Sequence, residues 1–238
     1  MSLVNPPAII LHPKMSISTE YVGRDKQPLL VIDNLLANAA EVKSYAQHLA
    51  FVADGVYYPG IRVNAPLAYQ QAILSGLLST LIDTFALTCS AMQFSLCQYS
   101  LVTTPPEQLQ MAQRIPHMDS IAEQELAMIH YLWDEGYGGT SFYRHKKTGY
   151  EYIDRQRQAN YFAVLGEQGQ VVDNLPPAEY INGDTLLFER VKSWPARFNR
   201  ALIYRKTSLH SGDIAKDFKS DSNPLTGRLS INSFLEPC

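Results

Sequence analysis

Cysteine is scarce in this chain, and the few cysteines present follow no recognisable pattern. Cys89, Cys97 and Cys238 are odd in number and show none of the spacings of cysteine metal ligands. This argues against a disulfide-stapled scaffold and against a cysteine metal site. Buried free thiols are the expected state of these residues.

An excess of charge of one sign is also lacking. The 238 residues carry a formal net charge of −3, and the basic residues are scattered along the chain. Without a basic patch there is no electrostatic footprint for nucleic acid, so we expect no nucleic-acid partner. The N-terminus has no charged and then apolar signal pattern, and we therefore expect a cytoplasmic protein.

Long uninterrupted hydrophobic runs are absent as well. The most apolar stretch, residues 72–92, is broken by polar residues, which is typical of an amphipathic helix and not of a membrane span. Hydrophobic residues make up 46% of the chain, and no repeat, low-complexity tract or linker divides it. The sequence thus predicts one globular domain over residues 1–238, with no membrane partner and no readable oligomeric state.

The first third of the chain mixes a strand with helices, whereas the remainder is rich in strands. Residues 29–33 form a short apolar run, Asn38 can cap a helix from Ala39 to about Ala50, and Pro66 opens a longer helix to about Ala86. Further on, turns rich in Gly, Pro, Asn and Asp separate short predicted strands at residues 93–102, 126–133, 139–144, 160–165, 185–189, 201–207 and 228–235.

Several short strands behind a helical layer predict a mainly β fold with flanking helices. Within that class we expect a double-stranded β-helix, a jelly-roll of the cupin-like kind, over about residues 93–236. The strand and helices of about residues 7–92 would form an N-terminal layer against this barrel.

One ordered set of polar residues points to a metal. His117-Met118-Asp119 places a histidine and an aspartate two residues apart, and on a strand such side chains share a face. A third ligand, His210, would arrive from a strand that is remote in sequence. Two imidazoles and one carboxylate on one face of an ion leave coordination positions open, which is typical of non-haem Fe(II) oxygenases. Because such a triplet is common by chance, the residues around it must show whether it belongs to a metal site.

The order of these features resembles the Fe(II)- and 2-oxoglutarate-dependent dioxygenases, most closely their prolyl-hydroxylase-like branch. The resemblance covers roughly residues 28–236 and is strong from Gln98 onward. The elements that follow one another in family order are Gln98-Tyr99-Ser100, His117-Met118-Asp119, residues 126–132, the turn Gly138-Gly139-Thr140, residues 183–188, His210 and Arg228-Leu229-Ser230.

The resemblance implies a role for each of the matching polar residues. His117, Asp119 and His210 would hold Fe(II) as the catalytic centre. Arg228 would bind the far carboxylate of 2-oxoglutarate, because its planar guanidinium offers two parallel donors. Ser230, two residues further on, would face the same way and add a hydroxyl donor.

The resemblance also places Tyr131 and Tyr99 in this pocket as hydrogen-bonding partners of the co-substrate. The implied reaction consumes O2, releases succinate and CO2, and hydroxylates a C–H bond of an amino acid, a peptide or another small molecule. Iron and 2-oxoglutarate supply this chemistry, and the protein supplies orientation. Since related halogenases have a small residue instead of the carboxylate, Asp119 favours hydroxylation.

Two loops are candidates to cover the site. The spacing between His210 and Arg228 is longer than the family usually has, and residues 213–226 look like an inserted polar loop. This loop is expected to be either a substrate lid or a solvated surface loop. Residues 101–116, which include Pro105-Pro106, are the second candidate lid.

Two other functions account for part of the pattern. A cupin-like metalloprotein with isomerase or lyase chemistry would explain the three metal ligands, but it leaves Arg228 and Ser230 without a task. A non-catalytic barrel that serves as a binding module would be expected to have lost a ligand, and all three are present.

Other polar residues have less specific patterns. His130 points away from Tyr131 along the strand and is expected to be structural, and His145 lies in a Lys-rich turn that we expect to be solvated. The sequence does not choose among the arginines that would suit an acidic substrate, Arg62, Arg114 and Arg205.

Overall fold

The computed structural model describes residues 4–53, 57–133 and 136–238, so residues 1–3, 54–56 and 134–135 of the predicted domain lie outside the described part. The strands are β1 (Ser16–Val22), β2 (Gln27–Asp33), β3 (Val52–Ala53), β4 (Gly60–Asn64), β5 (Met92–Val102), β6 (Leu126–Tyr131), β7 (Thr140–His145), β8 (Phe188–Trp194), β9 (Ala201–Arg205), β10 (His210–Gly212) and β11 (Leu229–Pro237). The α-helices are α1 (Ala39–Tyr45), α2 (Leu67–Phe85) and α3 (Gln158–Gly169). Short 3-10 helices lie at Ala46–His48, Pro106–Gln108, Met111–Arg114 and Val172–Asn174.

The strands form two antiparallel sheets. The larger sheet has the order β1-β2-β9-β6-β11-β5-β4-β3, and the smaller has the order β10-β7-β8. The centre of the larger sheet therefore comes from the second half of the chain, and strands of the first third extend both of its ends. An isolated bridge joins His117 to His210, each backbone N–H donating to the other's carbonyl oxygen at 2.9 Å.

Helices α1 and α2 cover one face of the larger sheet. Helix α2 follows Pro66 and ends at Ala86, which takes a left-handed conformation (φ 45). Its buried side chains recur every four residues and form one apolar stripe, namely Tyr69, Ile73, Leu77, Leu81 and Phe85. This stripe packs in one core with buried residues of β2, β5, β6, β9 and β11.

The other face of the larger sheet, which carries Tyr131, Leu202 and Tyr204, packs against the smaller sheet and is called the inner face here. Phe142 of β7 meets Tyr204 of β9 edge-on, with ring centroids 5.1 Å apart. The two sheets thus enclose the space into which residues of β6, β9, β10 and β11 project.

Most of the predicted elements are confirmed. The fold is mainly β, both N-terminal helices form, and the predicted strands at residues 93–102, 126–133, 139–144, 201–207 and 228–235 coincide with β5, β6, β7, β9 and β11 to within a few residues. The strand predicted at residues 185–189 begins only at Phe188. Strands β1 and β4 were not predicted.

The strand predicted at residues 160–165 is wrong, because this segment lies within helix α3. Asp154 starts the helical turn, since its Oδ1 accepts hydrogen bonds from the backbone N–H groups of Gln156 and Arg157 at 3.0 and 2.8 Å. The buried side chain of the helix is Tyr161. A short continuous apolar run does not distinguish a strand from a helix, and here the helix forms.

The solvated environment predicted for His145 is also wrong. His145 is fully buried, and helix α3 covers it. Its Nε2 lies 2.7 Å from Oε1 of Gln168, and its Nδ1 lies 2.9 Å from the Thr148 hydroxyl. Among the described residues, none of the helices combines the length and the apolar character needed to cross a membrane.

Candidate metal and co-substrate site

The three residues predicted to bind a metal converge at one point between the sheets. One potential ligand atom from each of His117, Asp119 and His210 lies within 4.8 Å of the other two. The two oxygens of Asp119 face different rings: Oδ1 is 3.6 Å from Nε2 of His117, and Oδ2 is 3.6 Å from Nε2 of His210. The carboxylate therefore lies between the two imidazoles, and all three side chains point to a common centre.

Backbone contacts hold the three ligands in this arrangement. The bridge between His117 and His210 brings the remote histidine beside the triplet, with ring centroids 4.4 Å apart. The backbone N–H of Asp119 donates to the carbonyl of Lys206 at 2.9 Å, which fixes the carboxylate against the end of β9. The strand pairing, more than the triplet itself, thus builds the cluster.

The His210 ring is oriented for metal binding. Its Nδ1 donates to the carbonyl oxygen of Ser208 at 3.0 Å, and its Nε2 faces Asp119. The rings of Tyr204 and Phe142 wall it in, with centroids 4.8 and 6.5 Å from the imidazole. A hydrogen bond to a backbone carbonyl is a common second contact of metal-bound histidine.

His117 forms the open side of the cluster. Its side chain is 52% exposed, whereas the side chain of His210 is 8% exposed. Desolvation and the adjacent His210 lower the pKa of His117 below its ordinary value of 6.5, so the neutral imidazole predominates at pH 7. Neutral imidazole is the form that binds a metal ion.

Arg228 lies beside the metal cluster as a buried cation. It is 4% exposed, and burial lowers its pKa. A Cβ built on Gly212, two residues after His210, would lie 3.4 Å from Nη2 of Arg228. The guanidinium is therefore next to the strand that supplies the third ligand.

The hydrogen bonds of Arg228 go to the backbone. Nε donates to the carbonyl of Tyr137 and Nη2 to that of Gly139, both at 3.0 Å, and the guanidinium lies over the Trp133 ring, 4.4 Å from its centroid. Within the described ranges Arg228 forms no ion pair. The carboxylate of Asp213, whose charge acts on it from further away, is bonded to Arg190 and Ser193. A buried cation held by carbonyls and an aromatic face suits an anionic ligand.

Tyr131 and Ser230 both lie on the inner face, directly opposite each other in the pairing of β6 with β11. The hydroxyl of Tyr131 is 2.7 Å from that of Thr140, the residue after the double-glycine turn, and its ring packs edge-on against Trp133. Ser230 donates to Oδ1 of Asn232 at 2.8 Å. The structure thus brings both residues to the sheet surface beside Arg228.

The prediction that Tyr99 lines this pocket is wrong. In the pairing of β5 with β11, Tyr99 stands opposite Ile231 and points to the helical side of the sheet. Its hydroxyl donates to the carbonyl of Val42 in α1 at 2.9 Å. The neighbouring Ser100 faces inward instead, because successive residues of a strand alternate between faces.

His130 has the structural role that was predicted. Its Nε2 donates to Oδ1 of Asn199 at 3.1 Å, and its Nδ1 accepts from the hydroxyl of Tyr69 at the same distance. Burial lowers the pKa of His130 to about 4. A neutral imidazole therefore links helix α2 to the sheet, on the face opposite to the metal cluster.

The structure distinguishes the three arginines that the sequence offered as binding residues for an acidic substrate. Arg114 and Arg205 both donate to backbone carbonyls, Arg114 to that of Leu109 and Arg205 to those of Glu123 and Phe85. Arg62 lies on the inner face opposite Ser100, with its guanidinium 3.8 Å from the centroid of the Tyr58 ring.

Three aromatic residues of the site were not predicted from the sequence: Trp133, Phe142 and Tyr204. Trp133 had a usable pattern, since it follows Tyr131 by two residues and therefore shares its face. Phe142 and Tyr204 lie in strands that are buried on both faces. Their sequences therefore show no alternation of polar and apolar residues that would indicate which way these side chains point.

The two predicted lid loops pack against each other near Arg228. Ile214 and Phe218 from the second loop join Leu109 from the first in a small apolar cluster with Tyr180 and Tyr58. Ile214 is buried, so the beginning of the second loop is not a solvated segment. Whether either loop moves over a substrate stays a prediction.

Comparisons with known proteins agree with this fold. The sequence profile of DUF6445, a family of unknown function, matches residues 13–235. Among curated proteins no match is found. A similar solved structure is that of HygX from Streptomyces hygroscopicus with nickel, 2-oxoglutarate and hygromycin B bound (13% identity, TM-score 0.51, covering 90% of this chain and 84% of HygX). Another is the non-haem α-ketoglutarate-dependent epimerase SnoN from nogalamycin biosynthesis (11% identity, TM-score 0.50, covering 90% and 79%). At such identities the likeness shows a shared fold.

Proposed function

The chain belongs to DUF6445, a family of unknown function, and we propose that it is an Fe(II)- and 2-oxoglutarate-dependent oxygenase. The observation that carries this proposal is the pairing of two features at one site. A cluster of two histidines and one aspartate lies beside a buried arginine that has no carboxylate partner among the described residues. The HygX structure, which has a similar fold, contains nickel and 2-oxoglutarate.

The donor set fits Fe(II). Two imidazoles and one carboxylate match the ligand preference of this ion, and three protein ligands leave positions for a chelating co-substrate and O2. His210 is held in the correct tautomer by Ser208, and Asp119 faces both histidines. These residues would hold the metal.

The surroundings of Arg228 fit the far carboxylate of 2-oxoglutarate. Two of its nitrogens bond carbonyl oxygens, which fixes the plane of the guanidinium, and Nη1 stays available to an anion. Trp133 supports the cation from one side. Tyr131 and Ser230 would line the path between Arg228 and the metal, with Thr140 fixing the Tyr131 hydroxyl.

Iron and 2-oxoglutarate together would supply oxidative decarboxylation to succinate and CO2 with hydroxylation of a C–H bond. The residues of this chain would bind and orient the co-substrate, and the packed rings of Phe142 and Tyr204 would exclude water behind His210. Retention of Asp119 supports hydroxylation over halogenation. The substrate would be an amino acid, a peptide or another small molecule.

We assign the fold to the double-stranded β-helix class and the chain to the prolyl-hydroxylase-like branch. Support for the fold assignment comes from the small sheet, which lies opposite the large sheet. It has three strands, and the bridge of His117 to His210 of β10 adds a fourth chain segment to it. Support for the branch comes from the order of motifs along the chain.

An anaerobic titration tests the proposed function. We would add 2-oxoglutarate to the Fe(II)-loaded protein and record the weak visible charge-transfer band of a chelated keto acid. The band is expected in the wild type and in His48→Ala, which changes an exposed histidine, and is expected to be lost in His210→Ala. Bound iron without a band would favour a cupin-like enzyme or a binding module.

A further inference from the structure

Three tyrosine side chains lie close enough to the buried guanidinium of Arg228 to act on its charge. They are Tyr58, Tyr131 and Tyr180. The hydroxyl of Tyr131 is 2.7 Å from that of Thr140, and the hydroxyl of Tyr180 donates to the carbonyl oxygen of Thr104 at 2.7 Å. The hydroxyl of Tyr58 is buried as well, but it has no hydrogen-bond partner among the described residues. Of the three, it is therefore the hydroxyl that a ligand can engage.

The register of the large sheet brings Tyr58 to Arg228. Tyr58 lies just before β4, and Arg228 lies just before β11. Gly60, the first residue of β4, pairs with Val102 at the end of β5, and β11 begins opposite Leu101. Since β4 and β11 flank β5 and both run antiparallel to it, they start at the same end of the sheet. The tyrosine and the arginine thus approach each other although they are remote in sequence.

The Tyr58 side chain is fixed from several sides. The carbonyl oxygen of Pro59 accepts from the backbone N–H groups of Thr103 and Thr104, both at 3.2 Å, which fastens the turn to the end of β5. The guanidinium of Arg62 lies over the Tyr58 ring, 3.8 Å from its centroid. The ring also packs in the apolar cluster that contains both candidate lid loops. Its hydroxyl is therefore held in place before a ligand arrives, which lowers the entropic cost of binding.

The Tyr58 hydroxyl is suited to donate to an anion. Burial raises the pKa of Tyr58 to about 12, so the phenol keeps its proton at pH 7. The hydroxyl of Ser100 approaches it but donates to the carbonyl oxygen of Gln98 at 3.3 Å. A buried polar group without a partner costs about 1–3 kcal/mol, and a ligand that accepts its hydrogen bond removes this cost. Beside the cation of Arg228, the acceptor that fits best is a carboxylate.

We infer that the Tyr58 hydroxyl donates a hydrogen bond to the far carboxylate of 2-oxoglutarate and acts with Arg228 in binding it. A carboxylate has two acceptor oxygens, so it can accept from Nη1 of Arg228 and from the hydroxyl at once. Tyr58 then has the role that was expected of Tyr99, whose own hydroxyl is bonded to Val42 on the helical side of the sheet. This inference rests on the proposed function, because it presupposes that 2-oxoglutarate binds.

Tyr58→Phe tests the inference, because it removes the hydroxyl and keeps the ring. We would record the charge-transfer band of the Fe(II)-loaded chain anaerobically with two keto acids, 2-oxoglutarate and 2-oxopentanoate, which has a methyl group in place of the far carboxylate. The Kd for 2-oxoglutarate is expected to rise about tenfold, the lower end of the effect of losing a hydrogen bond to a charged group. The Kd for 2-oxopentanoate should stay nearly unchanged.

Tyr180→Phe is the matched control. It removes a hydroxyl near the same guanidinium that is already bonded to Thr104, so 2-oxoglutarate is expected to bind as it does to the wild type. The Tm of the metal-free chain gives a second comparison. Tyr58→Phe should melt at the wild-type temperature or above it, because a buried hydroxyl without a partner is removed, whereas Tyr180→Phe should melt lower.

Several results would overturn the inference: an unchanged Kd for 2-oxoglutarate in Tyr58→Phe, equal losses for the two keto acids, or equal losses in the two variants. A lower Tm of metal-free Tyr58→Phe would do so too, since it would show that the hydroxyl already has a partner. Failure of the proposed function looks different. A wild type without the band would overturn the oxygenase together with this inference, whereas a band that ignores Tyr58→Phe would overturn the inference alone.

Discussion

At the scale of single residues, a substitution of Arg228 tests the proposed co-substrate site most directly. Arg228→Met removes the charge and its donors but keeps an apolar side chain over Trp133. We expect the Kd for 2-oxoglutarate, read from the charge-transfer band, to rise about 10- to 100-fold, the usual effect of losing a hydrogen bond to a charged group. Fe(II) binding, measured by equilibrium dialysis, should persist because the metal ligands are unchanged.

Arg205→Met is the matched control for this variant. Arg205 also donates to two backbone carbonyls, those of Glu123 and Phe85, but lies away from the site. Both variants should lose stability, and Arg228→Met alone should lose co-substrate affinity. Loss of iron with normal 2-oxoglutarate binding would contradict the role given to Arg228.

A second prediction at this scale concerns the pair of Asp33 and Arg200. Arg200 Nε and Nη2 donate to the Asp33 carboxylate at 2.6 and 2.9 Å. These hydrogen bonds lower the pKa of Asp33 below its ordinary value of 3.8. A lowered folded-state pKa stabilises the fold above pH 3.8, and this contribution is lost as the pH falls from there through the folded pKa.

Asp33→Asn should therefore lower the Tm at pH 7, and the difference from wild type should shrink as the pH falls below about 4. Scanning calorimetry at a series of pH values measures this. Asp83→Asn, at an exposed position of α2, serves as the control. A difference that stayed constant down to pH 2 would show that the charge on Asp33 is not the source of the stabilisation.

At the scale of elements, helix α3 depends on Asp154. Asp154→Ala removes the acceptor of two backbone N–H groups, and the free energy of unfolding is expected to fall by about 1 kcal/mol, as for other lost helix caps. Urea unfolding measures the change. Asp173→Ala, at an exposed position after the helix, should leave the midpoint nearly unchanged. An Asp154→Ala midpoint equal to that of wild type would contradict the capping role.

The elements also show how far the sequence could be interpreted. Strands bounded by turn residues and the long helix after Pro66 were predictable, because their hydrophobic periods are clear. Strand β1 was not, since six of its seven residues are exposed and no apolar alternation marks it. Helix α3 was mistaken for a strand because its apolar residues run together.

Some residues of the candidate site could likewise be predicted from the sequence, and others could not. His117 and Asp119 were readable as a pair because side chains at i and i+2 of extended backbone share a face, although in the structure only His117 forms a bridge and the triplet is not part of a strand. Tyr99 was misplaced because β5 is buried on both faces near its end, so a tyrosine there has no preferred side. The register of β4, β5 and β11 could not be foreseen, since it joins residues more than 30 positions apart.

At the scale of the whole molecule, the two sheets place ligands from distant segments around one centre, so ligand binding should stabilise the entire fold. Ni(II), which does not support turnover, should raise the Tm of the wild type, and 2-oxoglutarate should raise it further. At about a hundredfold excess over Kd the gain from one ligand is about 2.7 kcal/mol, or roughly 5–10 °C for a chain of this size.

The variants separate the two contributions to this rise. His210→Ala should show neither increment, because the metal site is incomplete and the keto acid then has nothing to chelate. Arg228→Met should keep the increment from Ni(II) and lose most of the increment from 2-oxoglutarate. Differential scanning fluorimetry measures the Tm increments from Ni(II) and from 2-oxoglutarate in each of the two variants. If 2-oxoglutarate stabilised His210→Ala as strongly as the wild type, Arg228 would bind the anion independently of the metal, and the cluster and the arginine would not form one site.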